Sequence, residues 1–179
     1  MSGHSKWSKV KHQKALTDAK KSQAFSKISR LVSIAAKKGG DPEMNPGLKY
    51  AIGQAKSANM PSDKIERAIK KGAGEMEGER LEEVVYEAFG PEGSALLITG
   101  ITDNKNRTTG QIKHLLSDLG AKMGEPGTAA WAFERLPDKT WKAKNLINTS
   151  TEGKEKIKKL IEELEQHEDL QSIYTNVNL

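Results

Sequence analysis

Residues 70–79 read KKGAGEMEGE, a glycine- and glutamate-rich stretch with no apolar period, and it separates two halves that cannot follow one folding pattern. Before it, apolar residues recur at helical spacing; after it, they begin by alternating. Charge reverses at the same place. Met1 to Lys71 carries 16 Lys+Arg against 5 Asp+Glu, a net of +11, whereas Gly72 to Leu179 carries 13 against 19, a net of −6. The sequence therefore divides into a basic flexible arm at 1–16, a helical domain at 17–72, a linker at 73–80 and an α+β domain at 81–179.

Within the first domain, Thr17 is placed to cap a helix whose apolar residues Phe25, Ile28, Val32 and Ala35 share one face and which ends at KKGG, Lys37 to Gly40. Lys20, Lys27 and Lys38 fall within one arc of that helix, with Lys21, Arg30 and Lys37 nearby, so the spacing predicts one packed side and one cationic side. Asn45 followed by Pro46 is a cap and a first helical position, opening a second helix through Leu48, Ile52 and Ala55 that stops near Asn59. PSDKIERAIKKG, from Pro61, predicts a third, with Ile65 and Ile69 inward and Gly72 as its stop.

The second domain opens with Val84, Tyr86 and Ala88 alternating with Glu83, Val85 and Glu87; GPEG at 90–93 is a turn, and Ala95 to Ile101 is a buried strand. Ile112, Leu115, Leu116 and Leu119 mark an amphipathic helix, after which a strand is expected to carry Trp131 and Phe133 on one face. Trp141 to Ile147 reads equally as strand or loop. Ile157, Leu160, Ile161 and Leu164 mark a final helix with Thr149 and Glu152 as its capping box, and Leu170 to Val177 closes as a strand. The fold class is α+β: an N-terminal three-helix basic domain, then an α/β domain with a mostly antiparallel sheet and two helices on one face.

No run approaches a transmembrane length and no apolar leader opens the chain, so a cytoplasmic protein is expected. Zero cysteines exclude disulfides and thiolate chemistry. The four histidines, His4, His12, His114 and His167, are scattered, and no hydrolase, zinc or P-loop pattern is present, so neither an enzyme nor a cofactor, metal or small-molecule substrate is expected. Glu162, Glu163, Glu165, Glu168 and Asp169 read as a solvated face of the last helix.

The arm, MSGHSKWSKVKHQK, differs in kind. Lys6, Lys9, Lys11 and Lys14 can each meet a phosphate without fixed backbone geometry, and Trp7 among them offers a stacking surface for an unpaired base. The alternative is that Trp7 folds back onto the helical domain. A second patch, TDNKNRTTG at 102–110, places Asn104, Lys105, Asn106 and Arg107 around a helix N-terminus that favours an anion. Equally, Asp103 or Asn104 caps that helix and leaves Lys105 and Arg107 in water.

GHSKWSKVKHQK, DAKKSQAFSKI, GGDPEMNP, NMPSDKIERAIKKG, YEAFGPEGSALLI, TDNKNRT and the terminal YTNV, in that order, resemble the YebC/PmpR family of transcriptional regulators, which includes the mitochondrial translational activator of cytochrome c oxidase. The resemblance runs from Gly3 to Val177. It implies a basic helical domain joined to α/β domains, no enzymatic activity, and binding to nucleic acid or the ribosome. By position, Gly3, His4, Ser5, Lys6, Trp7, Lys9, Lys11, His12 and Lys14 match the family's basic start, and Asp103 to Arg107 its DNxNR loop. The chain departs from the family at LPDKTWKAKNLINTSTEG, where a further small domain is expected and the sequence passes almost directly to the last helix. Two roles follow from the resemblance: a regulator that binds promoter DNA, and a factor that docks on ribosomal RNA and relieves stalled translation of proline-rich sequences. Asp63 and Glu66, early in the third helix, weaken base-specific reading of a DNA groove. A third role is an adaptor whose acidic second domain recruits a protein partner.

Overall fold

The computed structural model describes residues 18–179, so the arm and Thr17 lie outside the described residues. The described chain forms two units: residues 18–83 with 101–103, and residues 84–100 with 104–179. No helix among the described residues is long and apolar enough to cross a membrane.

The first unit is built from α1 (Asp18–Ala36), α2 (Pro46–Ser57) and α3 (Ser62–Gly72). Its core joins Ile28, Val32 and Ala36 of α1 to Leu48, Ala51 and Ala55 of α2 and to Ile65 and Ala68 of α3. Ala36 and Ala68 take the innermost places that periodicity assigned to Ala35 and Ile69, which are half-buried. Asn45 acts as anticipated and does more. Its Oδ1 accepts from the Leu48 amide at 3.1 Å, while its Nδ2 donates to Ala35 O and Gly39 O, both at 2.8 Å. One side chain thus caps α2 and satisfies carbonyls at the end of α1. Asn59 adopts a φ of 58°, which lets the Met60 amide reach back to Ala55 O at 3.0 Å and ends α2.

Helices α1 and α3 approach until side chains no longer fit between them. Ser33 Oγ donates to Ala68 O at 2.8 Å, and a Cβ at position 72 would stand 2.1 Å from Ser33 O and 2.8 Å from the Ala36 Cβ. Gly72 is therefore required for packing, but it does not stop the helix as anticipated: it is the last residue of α3, and the left-handed turn that ends the helix falls at Gly74, with a φ of 80°.

Apart from the first two residues of β1 and the last two of β2, the second unit holds a four-stranded sheet in the order β3-β1-β2-β6, from β1 (Glu82–Phe89), β2 (Ala95–Thr102), β3 (Lys122–Gly124) and β6 (Leu170–Thr175). β1 pairs antiparallel with β3, and β2 antiparallel with β6, with a bulge between Thr99 and Gly100. Helices α4 (Lys105–Asp118) and α5 (Thr151–Glu165) both pack on one face. Ile112, Leu116, Leu160 and Leu164 meet Val84, Tyr86, Ala88, Leu96 and Ile98 there. On the other face Ala95, Leu97 and Tyr174 are covered by Ala129, Ala132 and Phe133, which lead into a hairpin of β4 (Phe133–Arg135) and β5 (Trp141–Ala143). β5 alone occupies the interval between β4 and α5, where the family resemblance anticipates a further domain. The terminal YTNV closes the edge: Asn176 Oδ1 accepts from the Ala95 amide at 2.8 Å, and Val177 bridges to Ile147.

Three local expectations are corrected. Trp131 lies in a 3-10 turn at Ala130–Ala132 and is exposed while Phe133 is buried, so the two do not share a strand face. Helix α5 is capped by Ser150, whose Oγ accepts from the Gly153 amide at 3.0 Å, and not by Thr149. The partner completing that cap is Glu92, in the turn between β1 and β2. It accepts from the Ser150 amide at 2.9 Å and from the Ser150 hydroxyl, which hold its carboxyl below the ordinary value. Glu87 breaks the alternation of β1 and is only 8% exposed. Its carboxylate accepts three backbone amides, Gly127 and Ala129 at 2.6 Å and Ala130 at 2.8 Å.

The loop that supplies those amides is shaped for it. Pro126 and Gly127 are the central residues of a turn closed by the Thr128 amide on Glu125 O at 3.1 Å, and Gly127 has a φ of 91°. A residue with a Cβ is strained at that φ, so glycine lets successive amides converge on one carboxylate.

Candidate nucleic-acid interface

Of the cations anticipated in the first unit, Lys20 and Lys21 are exposed in the first turn of α1. Lys27 is not part of an exposed arc. It is 6% exposed and directly precedes Ile28 on the packed side of the helix, which splits the row of lysines into two groups. Arg30 is half-buried and donates from Nη1 to Ile101 O at 3.0 Å. The arm residues Gly3, His4, Ser5, Lys6, Trp7, Lys9, Lys11, His12 and Lys14 lie outside the described residues.

Sequence periodicity does not reveal a cleft on this unit lined by Ser29, Arg30, Ser33, Lys37, Lys71 and Gly72, closed by Glu79 and Leu81. Lys37 donates to Leu81 O and so fixes the stretch after α3 against α1. Close packing at Gly72 sets Lys71, from the end of α3, on the same cleft as Arg30 and Lys37, from α1. Three cations against one carboxylate make the cleft electropositive, and Gly72 was its only trace in the sequence. Over its three helices, 18–72, the chain carries 12 Lys+Arg against 5 Asp+Glu, a net of +7, whereas the whole unit, 18–83 with 101–103, carries 13 against 11, a net of +2.

In the second unit, Asn104, Lys105, Asn106 and Arg107 come together at the start of α4. The capping alternative holds for Asn104: its Oδ1 accepts from the Arg107 amide at 3.0 Å. Arg107 stays partly exposed but is anchored. Its Nη2 donates to Asp169 Oδ2 at 3.2 Å, and Thr108 Oγ1 donates to the same oxygen at 2.5 Å. Asp169, read as part of a solvated acidic face, is 3% exposed and is the buried anchor of this loop. Its own amide donates to His167 Nδ1 at 3.2 Å, which leaves the ring proton on Nε2, facing Gln111 Oε1 at 3.1 Å. Lys105 and Asn106 point outward at the helix N-terminus. The loop thus carries a cap, an anchored guanidinium and two exposed polar side chains. Asn104→Ala is expected to lower stability by about 0.5–2 kcal/mol in urea unfolding, the usual cost of an N-cap.

Residues 5–75 match the family model described as the TACO1/YebC protein N-terminal domain, and residues 81–137 match that of the TACO1/YebC second and third domain. A probable transcriptional regulatory protein of Petrotoga mobilis is 57% identical over 136 residues, covering 75% of this chain and 54% of the relative. Another, of Solibacter usitatus, is 53% identical over 135 residues with the same coverage. The chain spans about half the length of the curated relatives it matches. The crystal structure of a conserved hypothetical protein from Aquifex aeolicus superposes with a TM-score of 0.87 at 33% identity, covering 97% of each chain.

Proposed function

From the premise that this chain belongs to the TACO1/YebC family, we propose that it is a non-enzymatic regulator of gene expression that binds nucleic acid through the cations of its helical unit. The observation that carries this reading is the cleft holding Arg30, Lys37 and Lys71, beside helices whose span 18–72 has a net charge of +7. Such a cleft follows a phosphate chain and releases counterions on binding. Lys20, Lys21 and the lysines of the arm extend the same chemistry. Lys105 and the anchored Arg107 supply a separate contact in the second unit. The names of the curated relatives, probable transcriptional regulatory proteins, support regulation as the role. The reading takes nucleic acid in the cytoplasm as the partner.

Promoter DNA is the first target class. A specific observation favours structured RNA as the second: α3 carries Asp63 in its first turn and Glu66 one turn on, where a groove-reading helix would meet phosphates. Competition between duplex promoter DNA and structured ribosomal RNA for the full chain, at one fixed salt concentration, separates them. Tighter binding to DNA supports transcriptional regulation, and tighter binding to RNA moves the role to translation. Failure to bind either overturns the proposal.

A further inference from the structure

In the second unit, Trp131 is 65% exposed although its indole is fixed in place, its Nε1 donating to Thr128 O at 2.8 Å. The turn carrying it is tied to the sheet by the three amides that converge on Glu87. Thr128 also borders Phe89. A Cβ at Gly124 would stand 2.4 Å from Thr128 Oγ1 and 3.3 Å from Phe89 Cε2, so the absent side chain lets the two residues flank one point. Phe89 is itself 36% exposed and stands in register with Lys122 on β3. The adjoining segment 131–144 carries Arg135, Lys139, Lys142 and Lys144 against Glu134 and Asp138, a local net of +2 in a unit whose net charge is −1.

We infer that Trp131, on the turn whose Thr128 neighbours Phe89 and directly before the cationic hairpin segment, is a stacking site for an unpaired base of single-stranded nucleic acid. The inference rests on the nucleic-acid reading above and places a second, base-directed contact in the other unit. Burying an exposed tryptophan normally costs ordering of its side chain, and here that cost is already met by the indole hydrogen bond. Flat aromatic surface gives sequence-tolerant stacking, while the cations meet the phosphates on either side of the base. A protein-binding surface is the competing occupant, but the cores of such surfaces are depleted in lysine. Lys122 stands opposite Phe89 on the paired strand, and the segment that follows Trp131 carries three more lysines. A duplex presents no free base face to Trp131 without first unstacking.

The test uses the full chain labelled with 5-fluorotryptophan and a ten-nucleotide single-stranded RNA, with the same sequence as a duplex for comparison. The Trp131 fluorine resonance, assigned by its loss in Trp131→Phe, should move on adding the single strand. Trp131→Ala should weaken single-strand affinity about 5- to 150-fold, the loss of one stacked base, and Trp131→Phe should keep most of that affinity. Duplex affinity should change much less. The inference is overturned if the resonance stays still at saturation and Trp131→Ala binds as tightly as the parent, which would assign the patch to a protein partner. Equal losses on single strand and duplex overturn it too. If the parent chain binds neither nucleic acid, the functional reading fails together with this inference; binding with Trp131 uninvolved leaves that reading standing.

Discussion

Glu87→Ala is expected to destabilise the protein by about 3–5 kcal/mol, because each buried amide left without its acceptor costs about 1–3 kcal/mol and three are affected, two of them partly reached by water. The variant tests whether one carboxylate organises the 125–132 loop. Burial by itself raises the Glu87 carboxyl, yet the Gly127, Ala129 and Ala130 amides outweigh it and hold the group below its ordinary value of 4.5. The sign follows from linkage. A carboxyl with a depressed folded value adds stability that is fully present above about pH 4.5 and is lost as pH falls through the folded value. Glu87→Gln lacks that titration and should flatten the acid limb of stability, while leaving at least one amide poorly satisfied at neutral pH. Urea unfolding at pH 7 and across pH 2–5 measures both effects. Equal stability of the parent and Glu87→Ala at pH 7 would show that the amides find other acceptors.

Gly72→Ala should cost about 2 kcal/mol, the upper end of overpacking less the helix preference for alanine. Propensity alone favours the change by about 1 kcal/mol. Against that, the new methyl would stand 2.1 Å from a backbone oxygen of α1, and overpacking against backbone costs about 1–3 kcal/mol or more. Gly53→Ala, within α2 and with nothing within 4 Å of its Cβ, should instead raise stability by about 0.5–1 kcal/mol. Opposite signs in thermal unfolding of these two variants would separate close helix approach from propensity. A stabilised Gly72→Ala would mean that α1 and α3 are not held as closely as the geometry requires.

Local rules made much of the fold legible. Asn45-Pro46 announced a helix start because capping depends on adjacent residues, and Val84, Tyr86 and Ala88 marked the inner face of β1 because the period of a strand is local. Ile112, Leu116, Leu160 and Leu164 placed both helices on the sheet for the same reason. Features that depend on distant segments were not legible. Glu87 occupies a polar position of the strand, and only the return of the chain at 127–130 buries it. The cap of α5 needed Glu92, 58 residues before Ser150. Asp169 resembled its acidic neighbours until Arg107 and Thr108 closed over it. At the candidate interface, the cationic character of the first unit was evident from composition. The cleft was not, since it depends on Gly72 setting the end of α3 against α1. Lys27 shows the limit of helical spacing, which gives the angle of a residue around the axis but not the breadth of the packed face.

The most direct test of nucleic-acid binding through the cationic unit is the salt dependence of affinity of the full chain for a structured RNA or a duplex DNA. Each phosphate contact contributes roughly −0.7 to −0.9 to the slope of log K against log salt. With Lys20, Lys21, Arg30, Lys37 and Lys71 supplying most of the contacts, the slope should be about −3 or steeper, and Lys21→Gln with Lys71→Gln should make it shallower by about 1.5. Measurable binding with a slope near zero, or a slope that the double substitution leaves unchanged, would contradict the account.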